Sequence, residues 1–235
     1  MIEFRNVDKK YGRKEALHDF SLSFPIGKVI GIIGENGSGK TTLLKLISGL
    51  ISPNKGTITF NDEGIITRRI AREVAYMPDV DQFFSYFTVE QLFAYYDSQF
   101  EDFQMVKAKE LAQFLHVPLD ARMDDLSKGN RGRAKIAATL GRDAMYYVLD
   151  EPFSGLDPMV RADIAKGLIQ FTDIERQTVI LSTHEIKEME PLLDEVVVLQ
   201  GGKKIAHEKV DNIRDEYGVD TTSWMVSLFQ KGERV

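Results

Sequence analysis

The sequence predicts an α/β chain in which a buried strand turns through a glycine-rich loop into a helix, with antiparallel strands before it and a small helical portion after it. Three stretches carry that expectation. Residues 29–44, VIGIIGENGSGKTTLL, join an apolar run to a helical pattern through glycines. Residues 1–24 alternate polar and apolar side chains (IEFRNV, then ALHDFSLSF), as half-exposed antiparallel strands do. MYYVL at 145–149 and TVILST at 178–183 are apolar throughout their middles, as strands buried on both faces are.

In chain order, Lys9-Lys10-Tyr11-Gly12 reads as a turn between the first two strands, and Ser52-Pro53-Asn54-Lys55-Gly56 as a second turn before the strand TITFND. REVAYM at 72–77 reads as a strand stopped by Pro78. Aromatic residues then crowd between Asp81 and His116, among them Phe83, Phe84, Phe87, Tyr95 and Tyr96. Thr88 marks a helix start and Met105–His116 a second helix that breaks at Pro118. These aromatics fit the core of a helical subdomain; those between Asp81 and Phe87 equally fit an exposed anchor for a partner. Leu126-Ser127-Lys128-Gly129-Asn130 precedes a helical run, RGRAKIAATLGR, and Ser154-Gly155-Leu156-Asp157-Pro158 a second one. EVVVLQGGKKIAHEKV reads as a hairpin turning at Gly201-Gly202. The tail from Val210 mixes charged and apolar residues without legible chemistry. The organisation expected is 1–78 with 141–210 as the core, 79–140 as the helical subdomain and 211–235 as a tail.

With 235 residues, 43% of them hydrophobic and 28% charged, the chain can bury a sizeable core. A net charge of −6 disfavours a general basic footprint, so no nucleic-acid partner is expected. The absence of cysteine excludes disulfides and thiolate metal sites. No apolar run nears the roughly 20 residues of a membrane span, and the N-terminus lacks the apolar stretch of a signal peptide. The expected location is cytoplasmic.

Gly34, Gly39, Lys40 and Thr41 match G-x-x-x-x-G-K-[ST], in which backbone N–H groups and a helix N-terminus cradle phosphates, the lysine reaches the β/γ-phosphates and the hydroxyl ligates Mg²⁺. Asp150 and Glu151 follow a core strand directly, at the edge where open α/β sheets bind ligands. His184 ends the strand expected beside theirs. Taken alone, it fits a structural histidine as well as a site residue, and Tyr11 a core or turn aromatic.

In order and interval these motifs resemble the ATP-binding-cassette (ABC) ATPases over essentially the whole chain. GENGSGKT resembles Walker A, LSKGN the signature motif (commonly LSGGQ), YYVLDE Walker B with its following carboxylate, SGLD the D-loop and STHE the histidine switch. The resemblance implies a RecA-like P-loop NTPase core with an antiparallel β subdomain and a helical subdomain. It implies ATP and Mg²⁺ as ligands, with ATP held by Tyr11, Gly34, Glu35, Asn36, Gly37, Ser38, Gly39, Lys40, Thr41 and Thr42, and Mg²⁺ by Thr41 and Asp150. Lys40, Glu151 and His184 would serve catalysis. Ser127, Lys128, Gly129 and Asn130, with the D-loop Asp157, would act across a dimer of cassettes, on ATP held by a second copy or by a different cassette.

Two positions depart from the family pattern. Asp79 stands where the Q-loop glutamine is usual; it lacks an N–H donor and adds negative charge, while still offering oxygen to a metal. Lys128 replaces a signature glycine, with Asn130 for glutamine. Acidic Q-loop positions and LSKG occur among exporter cassettes, so the expectation is an ATPase subunit serving a transmembrane permease on the inner face of the cell membrane, exporting peptides, antibiotics or drugs. A soluble ABC machine, such as one for cluster assembly, and a nucleotide-binding regulator are the competing expectations.

Overall fold

The computed structural model describes residues 1–61, 63–65, 70, 72–80, 84, 86–184 and 186–232, with the side chains of 63–65 and 231–232 outside that description. Asp81, Gln82, Phe83, Ser85 and Glu185, all in stretches singled out above, lie outside the described residues.

Two sheets carry the chain. The first is antiparallel, ordered β2-β1-β4-β5, from β1 (Ile2–Tyr11), β2 (Lys14–Phe24), β4 (Lys55–Phe60) and β5 (Glu63–Ile65). The second, ordered β10-β9-β3-β8-β7-β6, has β3 (Val29–Ile33) near its centre and flanked by β8 (Thr178–Thr183) and β9 (Glu195–Gln200). β7 (Tyr146–Leu149) and β6 (Val74–Met77) continue it in parallel, and β10 (Lys203–Lys209) closes the far edge antiparallel to β9. The alternation in β1 is interrupted usefully. Ile2 and Phe4 point inward, and a bulge centred on Asn6, at φ 48°, then turns Val7 to the same buried face. Phe4 meets Phe20 and Phe24 edge to face at 5.6 and 5.8 Å, sealing this sheet over helix α1 (Lys40–Ile47).

Helices α2 (Val89–Gln99), α3 (Met105–Phe114) and α4 (Lys128–Leu140) pack together after β6. Thr88 and Gln91 form a reciprocal capping box on α2, which fixes its start where the sequence expects one. Arg142, 3% exposed, fastens this helical part to the sheet. Its guanidinium pairs with Asp102, donates to the Val74 and Arg72 carbonyls, and lies 4.0 Å from the centre of the Phe100 ring.

Two local readings are corrected, and the tail, left without a structural reading, gains one. Tyr11 is the last residue of β1 rather than part of the turn, which falls on Gly12-Arg13. Helix α4 begins at Lys128, not after Asn130, because the Ser127 hydroxyl caps it by accepting the Asn130 N–H at 3.2 Å. The tail is helical: α7 (Val210–Tyr217) packs on β10 and on α8 (Thr221–Gly232), and α8 packs on α6 (Ile186–Met189), with Arg214 and the Thr221 N–H both bonded to buried Glu190.

Candidate nucleotide-binding site

The C-terminal ends of β3, β7 and β8 lie side by side, which brings residues 34–41, 150–151 and 184 to one edge of the sheet. The loop after β3 is shaped for backbone to be close-packed. Gly39, at φ 112°, caps α1, and a Cβ there would stand 2.5 Å from the Ala16 carbonyl oxygen. Only glycine suits that position. The N–H groups of α1's first turn have no intrahelical acceptors, so the loop presents donors and the positive end of a helix dipole. Lys40, 6% exposed, donates to the Gly34 carbonyl at 2.8 Å and stands 3.3 Å from Glu151 Oε1.

Asp150 is 1% exposed and gathers three hydroxyl donors: Ser182 at 2.8 Å and Thr41 at 3.2 Å on Oδ1, and Tyr76 at 3.3 Å on Oδ2. Burial pushes its carboxyl above the usual aspartate range, Ser182 and Thr41 hold it down, and the charges of Asp79 and Glu151 add to the rise. Such a buried carboxylate, beside a threonine hydroxyl, has the hard oxygen donors that Mg²⁺ takes. The next residue, Glu151, is in the left-handed region at φ 49°, a conformation costing a non-glycine residue on the order of 1 kcal/mol. Its N–H is held by Ser182 Oγ at 2.8 Å, and its Oε2 lies 2.9 Å from His184 Nδ1. Lys40, Glu151 and His184 thus form one chain of contacts. The strained backbone aims a carboxylate across the phosphate loop.

Tyr11, 48% exposed, lines a cavity of about 250 Å³ together with Lys14, Ala16, Asn36, Gly37 and Thr42. Its ring is therefore available to a flat ligand beside the phosphate loop. Ser127, Lys128, Gly129 and Asn130 lie at the N-terminus of α4, and among the described residues no hydrogen bond or ion pair joins them to that loop. Lys128 instead extends its ammonium to the place where a Cβ on Gly155 would sit, next to the D-loop. Asp157 caps helix α5 (Pro158–Phe171) by accepting the Met159 and Val160 N–H groups. Asp79 is exposed, and its carbonyl accepts from Lys135 Nζ at 3.1 Å.

Sequence reasoning misses Ser182 and Tyr76. Ser182 carried one signal, a hydroxyl inside an apolar strand expected beside that of Asp150; Tyr76, one aromatic in a strand of mixed residues, carried none.

The family model described as ABC transporter matches residues 17–154. A Nod factor export ATP-binding protein I of Burkholderia orbicola (strain AU 1054) is 36% identical over 212 residues, which cover 87% of this chain and 69% of the relative. The structure of an ATP-binding subunit of an ABC transporter superposes with a TM-score of 0.83 at 24% identity, covering 97% of this chain and 99% of the other. A dimeric ATP-binding cassette in a post-hydrolysis state, bound to ADP and Pi, superposes at 0.78 with 22% identity, covering 89% and 98%.

Proposed function

This chain belongs to the ABC transporter family, as an ATP-binding subunit with ATPase activity, and from that premise we propose that it energises export through a separate membrane subunit. The observation that carries the energising half of the proposal is the single cluster of Lys40, Thr41, Asp150, Glu151, Ser182 and His184 at the end of three adjacent strands. The α1 amides and Lys40 bind the phosphates of ATP, exchanging the Gly34 carbonyl and Glu151 for phosphate oxygens. Tyr11 stacks on the adenine. Thr41 and Asp150 would hold Mg²⁺, with Asp79 as a further oxygen donor, and the ion would supply charge that offsets the phosphates. Glu151 accepts the proton of the attacking water, and His184, bonded to Glu151, holds the γ-phosphate side of the site.

Ser127–Asn130 form the N-terminus of a different helix, α4, and are assigned a trans role, in which they complete the ATP site of a second cassette. The dimeric structural relative supports the same reading. Closure on ATP and release after hydrolysis then form the power stroke.

The export assignment follows the Nod factor export relatives and the departures at Asp79 and Lys128. No described helix is long and apolar enough to cross a membrane. Docking on the inner face of the cell membrane is assigned to a groove of about 520 Å³ beside Pro78, lined by Phe84, Phe87, Tyr95 and Tyr96 and bordered by Lys135. A short amphipathic segment from a membrane subunit fits a groove of that chemistry. The test is copurification from membranes of the native host, with any hydrophobic subunit identified by mass spectrometry. Wild type should remain with it in detergent, and Phe84→Ala with Phe87→Ala should separate from it while keeping its ATP turnover. Retention of the double variant would place docking elsewhere, and isolation of the wild type only in soluble complexes would remove the transport assignment.

A further inference from the structure

Tyr76 touches both halves of this arrangement. It lies on β6 opposite Val148 of β7, one residue before Met77, whose carbonyl accepts the Asp150 N–H at 2.9 Å. That register sets the tyrosine hydroxyl beside the aspartate at the strand end. Thr41 and Ser182 both donate to Oδ1, whereas Oδ2 receives the Tyr76 hydroxyl. At 3.3 Å this is a long hydrogen bond, of the kind that tightens when a site closes on its ligand. A tyrosine phenol is protonated at neutral pH, so the Tyr76 hydroxyl has a proton to donate to Oδ2. Asp79 bears on the same pair: its charge acts on both Tyr76 and Asp150, and its side chain has no N–H to donate. The ring of Tyr76, meanwhile, lines the aromatic groove with Phe84, Phe87 and Tyr95.

We propose that Tyr76 is a positioning residue for the metal-holding carboxylate: its hydroxyl fixes Oδ2 of Asp150 while its ring is set by the groove. The inference rests on the ATP-dependent reading above. The carboxylate turns about its Cβ–Cγ bond, which moves both oxygens; Thr41 and Ser182 resist that turn at Oδ1, and Tyr76 resists it at Oδ2, from the other side of the group. Groups that orient a metal ligand in this way are typically worth about 10- to 100-fold in metal affinity or activity.

The test uses Mn²⁺ as a spectroscopic probe in place of Mg²⁺, in a Glu151→Gln background that does not consume the nucleotide. Mn²⁺ is titrated against the ATP-loaded protein by electron paramagnetic resonance, and ATP affinity is measured separately in EDTA. Tyr76→Phe, which retains the ring, should raise the Mn²⁺ concentration for half-saturation about tenfold, with ATP affinity in EDTA unchanged. Equal Mn²⁺ affinity overturns the assignment. A parallel loss of ATP affinity in EDTA overturns it too, because it shows a general disturbance of the pocket. A parent protein that binds no ATP at all refutes the proposed function, and Tyr76 falls with it.

Discussion

Ser182 binds both ends of the Asp150-Glu151 pair, so removing its hydroxyl is the sharpest local perturbation available. The residue is fully buried; its Oγ donates to Asp150 Oδ1 at 2.8 Å and accepts the Glu151 N–H at 2.8 Å. Ser182→Ala therefore deprives a buried carboxylate of its shortest donor and leaves a backbone N–H, in a left-handed residue, without its acceptor. A hydrogen bond to a charged group contributes about 1.5–3 kcal/mol, and an orphaned buried donor costs about 1–3 kcal/mol. Because the two losses share one site they do not simply add. A loss of about 3 kcal/mol is expected, which for a chain of this size lowers Tm by about 6–12 °C. Calorimetry of the nucleotide-free protein reads this directly. Since Ser182 also holds down the raised Asp150 carboxyl, the variant should lose more of its Mg²⁺-dependent ATP binding at mildly acidic pH than at neutral pH. A Tm within about 1 °C of wild type, together with unchanged Mg²⁺ dependence, would refute the claim that this hydroxyl organises the two carboxylates.

Other outcomes follow from the same geometry. Gly39→Ala, at φ 112° and with its Cβ 2.5 Å from the Ala16 oxygen, should weaken ATP binding at least tenfold by calorimetric titration. Gly37→Ala, at φ 85° with nothing within 4 Å of its Cβ, should bear backbone strain of about 1–3 kcal/mol alone and bind more tightly than Gly39→Ala. Burial pushes the Tyr146 phenol up to about 12, its hydroxyl being bonded to the Phe24 carbonyl. Above pH 10, the ordinary tyrosine value, the unfolded chain releases this proton while the folded chain keeps it, so stability falls as pH rises through that window. Tyr146→Phe should flatten that alkaline decline, read from urea midpoints between about pH 9.5 and 11.5.

How much of this was legible in the sequence depends on what each residue type was free to mean. Gly34, Gly39, Lys40 and Thr41 were readable because their chemistry admits few alternatives at that spacing, and the apolar runs after them placed β7 and β8 correctly. His184 became readable only through the neighbouring strand. The bulge at Asn6 left a trace that was not used: strict alternation from Ile2 and Phe4 would put Asn6 inward and Val7 outward, whereas Asn6 is exposed and Val7 buried. The start of α4 was misplaced because a lysine, a glycine and an asparagine suggest a loop, whereas the Ser127 cap draws them into the helix. Tyr76 and Ser182 were silent for a different reason. A hydroxyl in a buried strand acquires meaning from the strand beside it, and register is a property of the folded sheet rather than of either segment. The tail helices likewise needed their partner: Trp224 is 5% exposed because α8 lies on α6, a contact that no spacing within residues 210–235 announces.

The central claim is that Glu151 is the residue that turns bound ATP into hydrolysed ATP within a dimer. Its most direct measurement is Mg²⁺-ATP turnover alongside the sedimentation of wild type and Glu151→Gln. The account predicts that Glu151→Gln loses turnover by a hundredfold or more, as removal of a positioned general base does at about 10²–10⁴, and sediments with ATP as a stable dimer while wild type returns to monomer. A Glu151→Gln variant that hydrolyses ATP at the wild-type rate, or stays monomeric with ATP bound, contradicts it.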